Sequence, residues 1–160
     1  MTSIAVVAVA GGFSGLAVAG GSTESQAAAD EMPYAVEDFN YPGADRIKSS
    51  MGITVKRGDG HVLVAECDPK ADQIRVLTVA DSSAGRRGTY CFEATSTSGF
   101  LTLELPRVFA LEAGEQPISA DLTANGQTQT VDVPEGGFEP VGEGTVGGAQ
   151  SVLVEIRVTG

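Results

Sequence analysis

Ile118-Ser119-Ala120-Asp121-Leu122-Thr123-Ala124-Asn125-Gly126-Gln127-Thr128-Gln129-Thr130-Val131-Asp132-Val133 is the stretch that decides the fold class. Ile118, Ala120 and Leu122 alternate with Ser119, Asp121 and Thr123, which puts the apolar side chains on one face of a strand. Asn125-Gly126 is the strongest two-residue hairpin signal, because both residues tolerate the positive φ of a tight turn. Gln127 to Val133 is then the returning strand.

Outward from this hairpin the same period persists. Upstream, Leu101, Leu103 and Leu105 share one face and Thr102 and Glu104 the other, until Pro106 marks an edge, corner or bulge before Val108 to Glu112. Downstream, Val152, Val154, Ile156 and Val158 line one face of a final strand. Further strands are expected at Ile53–Val55, His61–Cys67, Gln73–Val79 and Thr89–Thr95, with Val62-Leu63-Val64-Ala65 reading as a strand buried on both faces. Turn signals recur about every 8–12 residues, the pattern of an all-β sandwich or barrel. Ahead of the strands, Ala44, Ile47 and Met51 recur at helical spacing before Gly52, which predicts one short helix over 43–51. Pro134 to Gln150, rich in glycine, reads as a long connection without secondary structure.

The expectation is therefore an all-β, mostly antiparallel β-sandwich over 53–158, immunoglobulin-like in general shape, with a partly open barrel as the alternative. Its core should hold Ile53, Val55, Val64, Ile74, Val76, Phe92, Leu101, Leu103, Ile118, Leu122, Val131, Val133, Val154 and Ile156. A length of 160 residues suits one domain.

The amino-terminal run Ile4 to Ala19 is uncharged and mostly apolar, too short for a span of ~20 residues and diluted by Gly11, Gly12, Ser14 and Gly15. Ala27-Ala28-Ala29 follows a polar stretch, the layout of a secretory signal peptide cut after Ala29, with Ala17-Val18-Ala19 the weaker site. The basic residues usual at the start of such a segment are missing, since none precedes Arg46. No cysteine lies near the cleavage site to take a lipid, so no membrane anchor is expected. Residues 1–29 thus read as signal peptide, 30–42 as an extended acidic arm, and 43–160 as a single disulfide-stapled β domain. The destination is extracellular.

Charge and chemistry narrow the function. The chain has 21 acidic and 10 basic residues, a net charge of −11. Too few cations remain for a nucleic-acid binder. One His and two Cys cannot make an ordinary four-ligand zinc site, no calcium-loop pattern is present, and no cofactor is expected. Paired carboxylates are too abundant to signal glycoside hydrolysis, and no Trp offers a sugar platform. Gly142-Glu143-Gly144-Thr145-Val146-Gly147 lacks the strand–loop–helix setting of a dinucleotide motif. Arg57-Gly58-Asp59 spells an adhesion tripeptide but already serves as a turn. His61 is the one histidine around which a small hydrolase could be built, and a strand-end histidine is the plainer reading. No catalytic residue is assigned.

Cys67 and Cys91 are the only cysteines. In an exported chain they should form a disulfide, across facing sheets or between neighbouring strands; two buried thiols or an intermolecular bridge are the rival readings.

Tyr41-Pro42-Gly43-Ala44-Asp45, Gly58-Asp59-Gly60-His61, Cys91-Phe92, Gly99-Phe100-Leu101-Thr102-Leu103 and Val152 to Gly160 together resemble the small secreted proteins of filamentous actinomycetes. Seven Arg against three Lys fit a GC-rich genome. The resemblance implies export and brings no assigned activity. The expected function is that of a non-catalytic exoprotein that binds an extracellular protein or surface ligand. Its most accessible segment is the 134–150 connection, with Pro134, Phe138, Glu139, Val141 and Glu143 as candidate contacts. A secreted inhibitor of extracellular proteases is the alternative, and a hydrolase centred on His61 the second. Protein recovered from culture medium should begin at Asp30 on amino-terminal sequencing; a product retained in cells and still beginning at Met1 would refute export.

Overall fold

The computed structural model describes residues 39–160. The signal-peptide reading, and the acidic arm up to residue 38, lie outside the described residues. Helix α1 (Ala44–Met51) is followed by nine strands: β1 (Thr54–Gly58), β2 (Val62–Ala65), β3 (Ile74–Thr78), β4 (Thr89–Ala94), β5 (Ser98–Glu112), β6 (Ile118–Ala124), β7 (Gln127–Val133), β8 (Phe138–Pro140) and β9 (Ser151–Thr159). Every named pairing is antiparallel, which makes the fold all-β.

The hairpin forms as its sequence requires. Asn125 (φ 52°) and Gly126 (φ 77°) both take positive φ, and β6 pairs β7 without a register break from Ala124↔Gln127 to Ile118↔Val133. The rest of the sheet is organised by β5, a strand of 15 residues. Its first half pairs with β1 and β9, and its second half with β3 and β8. The strand path runs β2-β4-β3-β5-β9-β6-β7, one open sheet. Side chains from both halves meet in one core, including Val62, Ile74, Val76, Tyr90 and Phe92 from one half and Leu101, Leu103, Ile118, Leu122 and Ile156 from the other.

Pro106 marks a bulge, as one reading of its position allowed. Arg107 sits at φ 61° and the β9 register slips between Pro106 and Val108. One extra residue reverses the side-chain phase. Leu101, Leu103 and Leu105 are buried before it and Val108 directly after it, until a second slip opposite Leu77 and Thr78 brings Leu111 and Ala113 into the core.

Three expectations need correction. Val154 is not in the core: between Asp121↔Glu155 and Leu122↔Leu153 the pairing skips it, so Leu153 takes the buried position. The 62–65 strand is not buried on both faces, because β2 ends the strand path, and Leu63 is 36% exposed. The 134–150 connection is not structureless; it holds β8 and a 3-10 turn at Gly142–Gly144. Val64 and Val131 pack against the core from partly buried positions.

Gly43 and Gly52 flank α1, with Met51 its one buried residue. The buried Tyr90 hydroxyl ties down the helix end, donating to the Met51 carbonyl at 2.8 Å and accepting from the Arg87 amide at 2.9 Å.

Cys67 and Cys91 are disulfide-bonded, with Cα atoms 5.1 Å apart. Cys91 pairs with Ala65 across the β2–β4 ladder, so the bridge joins the extension of β2 to the neighbouring strand and does not cross the core. A closed loop of this length stabilises by roughly 3–4 kcal/mol through the unfolded chain. Replacing both cysteines by alanine should lower stability in denaturant titrations by about that amount. Leu153→Ala should cost about 2–5 kcal/mol and Val154→Ala well under half as much; equal losses would contradict the skipped register.

Candidate functional site

The ladder register places Gln127 beside Ala124, and Gln129 beside Leu122, on the same face as buried Ala120 and Ile118. The core-facing side of β6–β7 thus turns from apolar to amide as it leaves the core. Opposite this overhang stands the segment from Pro140 to Ser151. Between them lies a cavity of about 630 Å³, lined among others by Leu122, Gln127, Gln129, Val131, Val141 and Thr145.

The wall opposite is held in place by backbone bonds and one ion pair. Val141 N–H donates to the Phe109 carbonyl at 2.9 Å, and successive turns close from Gly144 to Val141 (2.8 Å) and from Gly148 to Thr145 (3.0 Å). Gly144 and Gly148 are needed for closeness, since a Cβ would strike the carbonyl oxygens of Phe109 and Gly142 respectively. Glu143 accepts two bonds from Arg107, Nε to Oε1 and Nη2 to Oε2, both 2.7 Å. This pairing holds the Glu143 carboxyl below its ordinary value and raises the Arg107 guanidinium above its own. The bulge in β5 and the groove wall are therefore clamped to each other.

Asp81 and Arg86 lie next to this clamp. Asp81 is held below its usual range, chiefly by the Ser83 hydroxyl and then the Ala84 amide. Arg86 Nε donates to the Val79 carbonyl at 2.6 Å, and Val79 N–H donates to the Arg107 carbonyl at 3.0 Å.

The candidate contacts of the 134–150 segment have different surroundings. Pro134 is exposed, and Phe138 is 56% exposed on β8. Glu139 pairs with Leu111 in the β5–β8 ladder. Val141 is buried and forms part of the groove wall, and Glu143 is committed to Arg107. Sequence reading misses the groove floor. Its signal is present all the same, as Gln127 and Gln129 fall on the core face of the hairpin, where glutamine marks the limit of the core.

His61 is half exposed, with its Nδ1 3.6 Å from Asp59 Oδ2. Asp59 itself is occupied by the backbone, accepting from His61 N–H at 3.1 Å and from Phe100 N–H at 3.2 Å. That carboxylate organises the turn between β1 and β2. It also draws Asp59 of the adhesion-like tripeptide inward, while Arg57 lies over the Phe39 ring at 5.7 Å. Among the described residues no group of three or more His, Cys, Asp or Glu is arranged to hold a metal ion.

No protein-family model and no curated protein matches this chain. No helix of the described residues is long and apolar enough to cross a membrane.

The Arg107–Glu143 clamp has a pH signature. The folded-state carboxyl titrates below its ordinary value of 4.5, so its stabilisation is complete above that value and disappears as pH falls through the lowered one. Glu143→Gln should be less stable than wild type in urea at about pH 7, and the gap should narrow steadily as pH falls below the ordinary carboxyl value of 4.5. A gap independent of pH would show that the ion pair contributes nothing.

Proposed function

We propose that this chain is an exported, non-catalytic binding module whose ligand enters the groove between the β6–β7 hairpin and the 140–151 segment. The observation that carries this reading is the lining. Amides (Asn125, Gln127, Gln129), Thr145 and Ser151, whose hydroxyls donate to the Gly142 and Val108 carbonyls, and small apolar groups line the cavity, and among the described residues no titratable side chain does. Such a surface supplies hydrogen bonds and apolar contact without an acid, a base or an activated nucleophile. It suits an uncharged ligand carrying amide or hydroxyl groups, presented by an extracellular protein or surface. The Cys67–Cys91 bridge supports an oxidising destination, in keeping with the apolar amino-terminal run and its small-residue cleavage site.

The protease-inhibitor reading is the runner-up. The 134–150 segment has no cysteine, yet β8 and the Arg107–Glu143 pair brace it and Phe138 projects from it. Titration against proteases that prefer aromatic residues tests it, with Phe138→Ala as the control.

For the binding reading, the bait is the chain purified from medium and the prey the secreted proteome of the same culture. A ligand held by wild type should bind Gln129→Arg at least about tenfold more weakly, roughly 1.4 kcal/mol, and His61→Ala unchanged. Equal capture by Gln129→Arg would remove the groove from consideration. Turnover abolished by His61→Ala would replace binding with catalysis.

A further inference from the structure

The sheet has several outer edges, and they are treated differently. The edge of β1 is covered by the segment before α1: Tyr41 N–H donates to the Lys56 carbonyl at 3.0 Å, and Gly58 N–H to the Phe39 carbonyl at 2.9 Å. The edge of β2 is capped where Val64 N–H donates to the Tyr41 hydroxyl at 2.9 Å. β8 is three residues long. β7 is seven residues long, pairs only with β6 among the described residues, and has no bulge. It contains neither lysine nor proline, the usual devices that blunt an edge.

Its register also fixes which backbone groups are free. The two-residue turn makes Ala124 and Gln127 a hydrogen-bonded pair, and bonding alternates from there. Gln127, Gln129, Val131 and Val133 therefore bond to β6, while Thr128, Thr130 and Asp132 aim their N–H and C=O groups outward. The side-chain contacts agree with this phase, as the Thr123–Thr128 hydroxyls meet at 2.9 Å and Thr130 donates to Asp121 at 2.6 Å. Such close side-chain pairs are typical of non-hydrogen-bonded positions.

We propose that β7 pairs antiparallel with β7 of a second copy of this chain, around a two-fold axis at Thr130. In that register Thr130 faces Thr130 of the second copy, Thr128 faces its Asp132, Gln129 its Val131, and Gln127 its Val133. The outward-pointing backbone groups of Thr128, Thr130 and Asp132 all find partners. The Thr–Thr and Thr–Asp pairs repeat those β7 already makes with β6. No like charges meet, because the two Asp132 carboxylates stand roughly 13 Å apart along the strands, beyond the Debye length of about 8 Å. The core-facing amides of the two copies would continue the groove floor across the axis. The edge and its register alone carry this pairing, so a dimer that binds no ligand supports it fully.

Association must overcome a net charge of −11 on each chain, so added salt should strengthen it. Sedimentation velocity of the intact disulfide-bonded protein from roughly 10 μM to about 1 mM should show a concentration-dependent dimer. Amide exchange at Thr128, Thr130 and Asp132 should slow as the dimer forms. Thr130→Pro removes an N–H that β6 does not use, and should raise the dissociation constant at least about tenfold. Thr130→Lys keeps the backbone donor but sets two cations against each other at the axis, and should do the same. A chain monomeric at about 1 mM, or a dimer unmoved by both substitutions, overturns the proposal.

Discussion

One strand has to serve both halves of the sheet, and the bulge at Pro106-Arg107 is what lets it. A regular β5 would keep the odd-numbered side chains on one face throughout, sending Leu101, Leu103 and Leu105 to the core and then Arg107 and Phe109 after them. The added residue shifts the phase, so Val108 enters the core instead, and a second slip between Leu77↔Ala110 and Thr78↔Val108 returns Leu111 and Ala113 to it. Arg107 takes a left-handed conformation that a branched or bulky residue disfavours. Its guanidinium is held by both oxygens of Glu143 and its carbonyl by Val79 N–H. The bend is thus secured from each side, and the same contact that secures it anchors the groove wall.

The second half of the sheet has its own fastening. β2 and β4 end one side of the strand path, and there the disulfide joins Cys91 in the buried β4 to the exposed Cys67 beyond β2. Gln73 stitches the same corner, donating to the Glu66 carbonyl at 3.0 Å and accepting from Asp68 N–H at 2.9 Å. Tyr90 and Arg87 fix the end of α1 to it. Small β domains expose a large fraction of their surface, so such local ties carry a substantial part of a total that rarely exceeds about 15 kcal/mol.

The parts of the fold legible in the sequence are those set by local features. Alternation at Leu101–Leu105, the Asn125-Gly126 turn and the Gly-flanked helix each depend on a few neighbouring residues, and each stands as read. Val154 escapes its pattern because its fate is decided by a pairing offset with β6, which no period within β9 reveals. The apolar composition of β2 suggests too much burial because it says nothing of the strand's place in the order. Phe138-Glu139-Pro140 carries too short a pattern to announce a strand; it becomes one because β5 offers it an edge. The groove is hidden for a related reason. Its wall comes from glycines chosen for close approach, while its floor is visible only once the hairpin register is laid against the core.

The surplus of acid is distributed in a way that bears on function. Residues 103–160 hold nine acidic and two basic residues, and both of those bases, Arg107 and Arg157, are spent on ion pairs. Asp121 lies below its ordinary range, chiefly because the Thr130 hydroxyl donates to it and then because Arg157 does, so it too is committed to the sheet. Asp121, Glu143 and Glu155 are thus paired with arginine, while Asp132 on β7 and the other acids are spread along the surface. Among the described residues, no charged side chain lines the groove. Under the proposed binding reading, recognition there rests on short-range hydrogen bonds and fit, which survive high salt, whereas attraction between opposite net charges would not. The proposed module would then gain independence from the ionic strength of its surroundings, at the cost of slower encounter with a ligand.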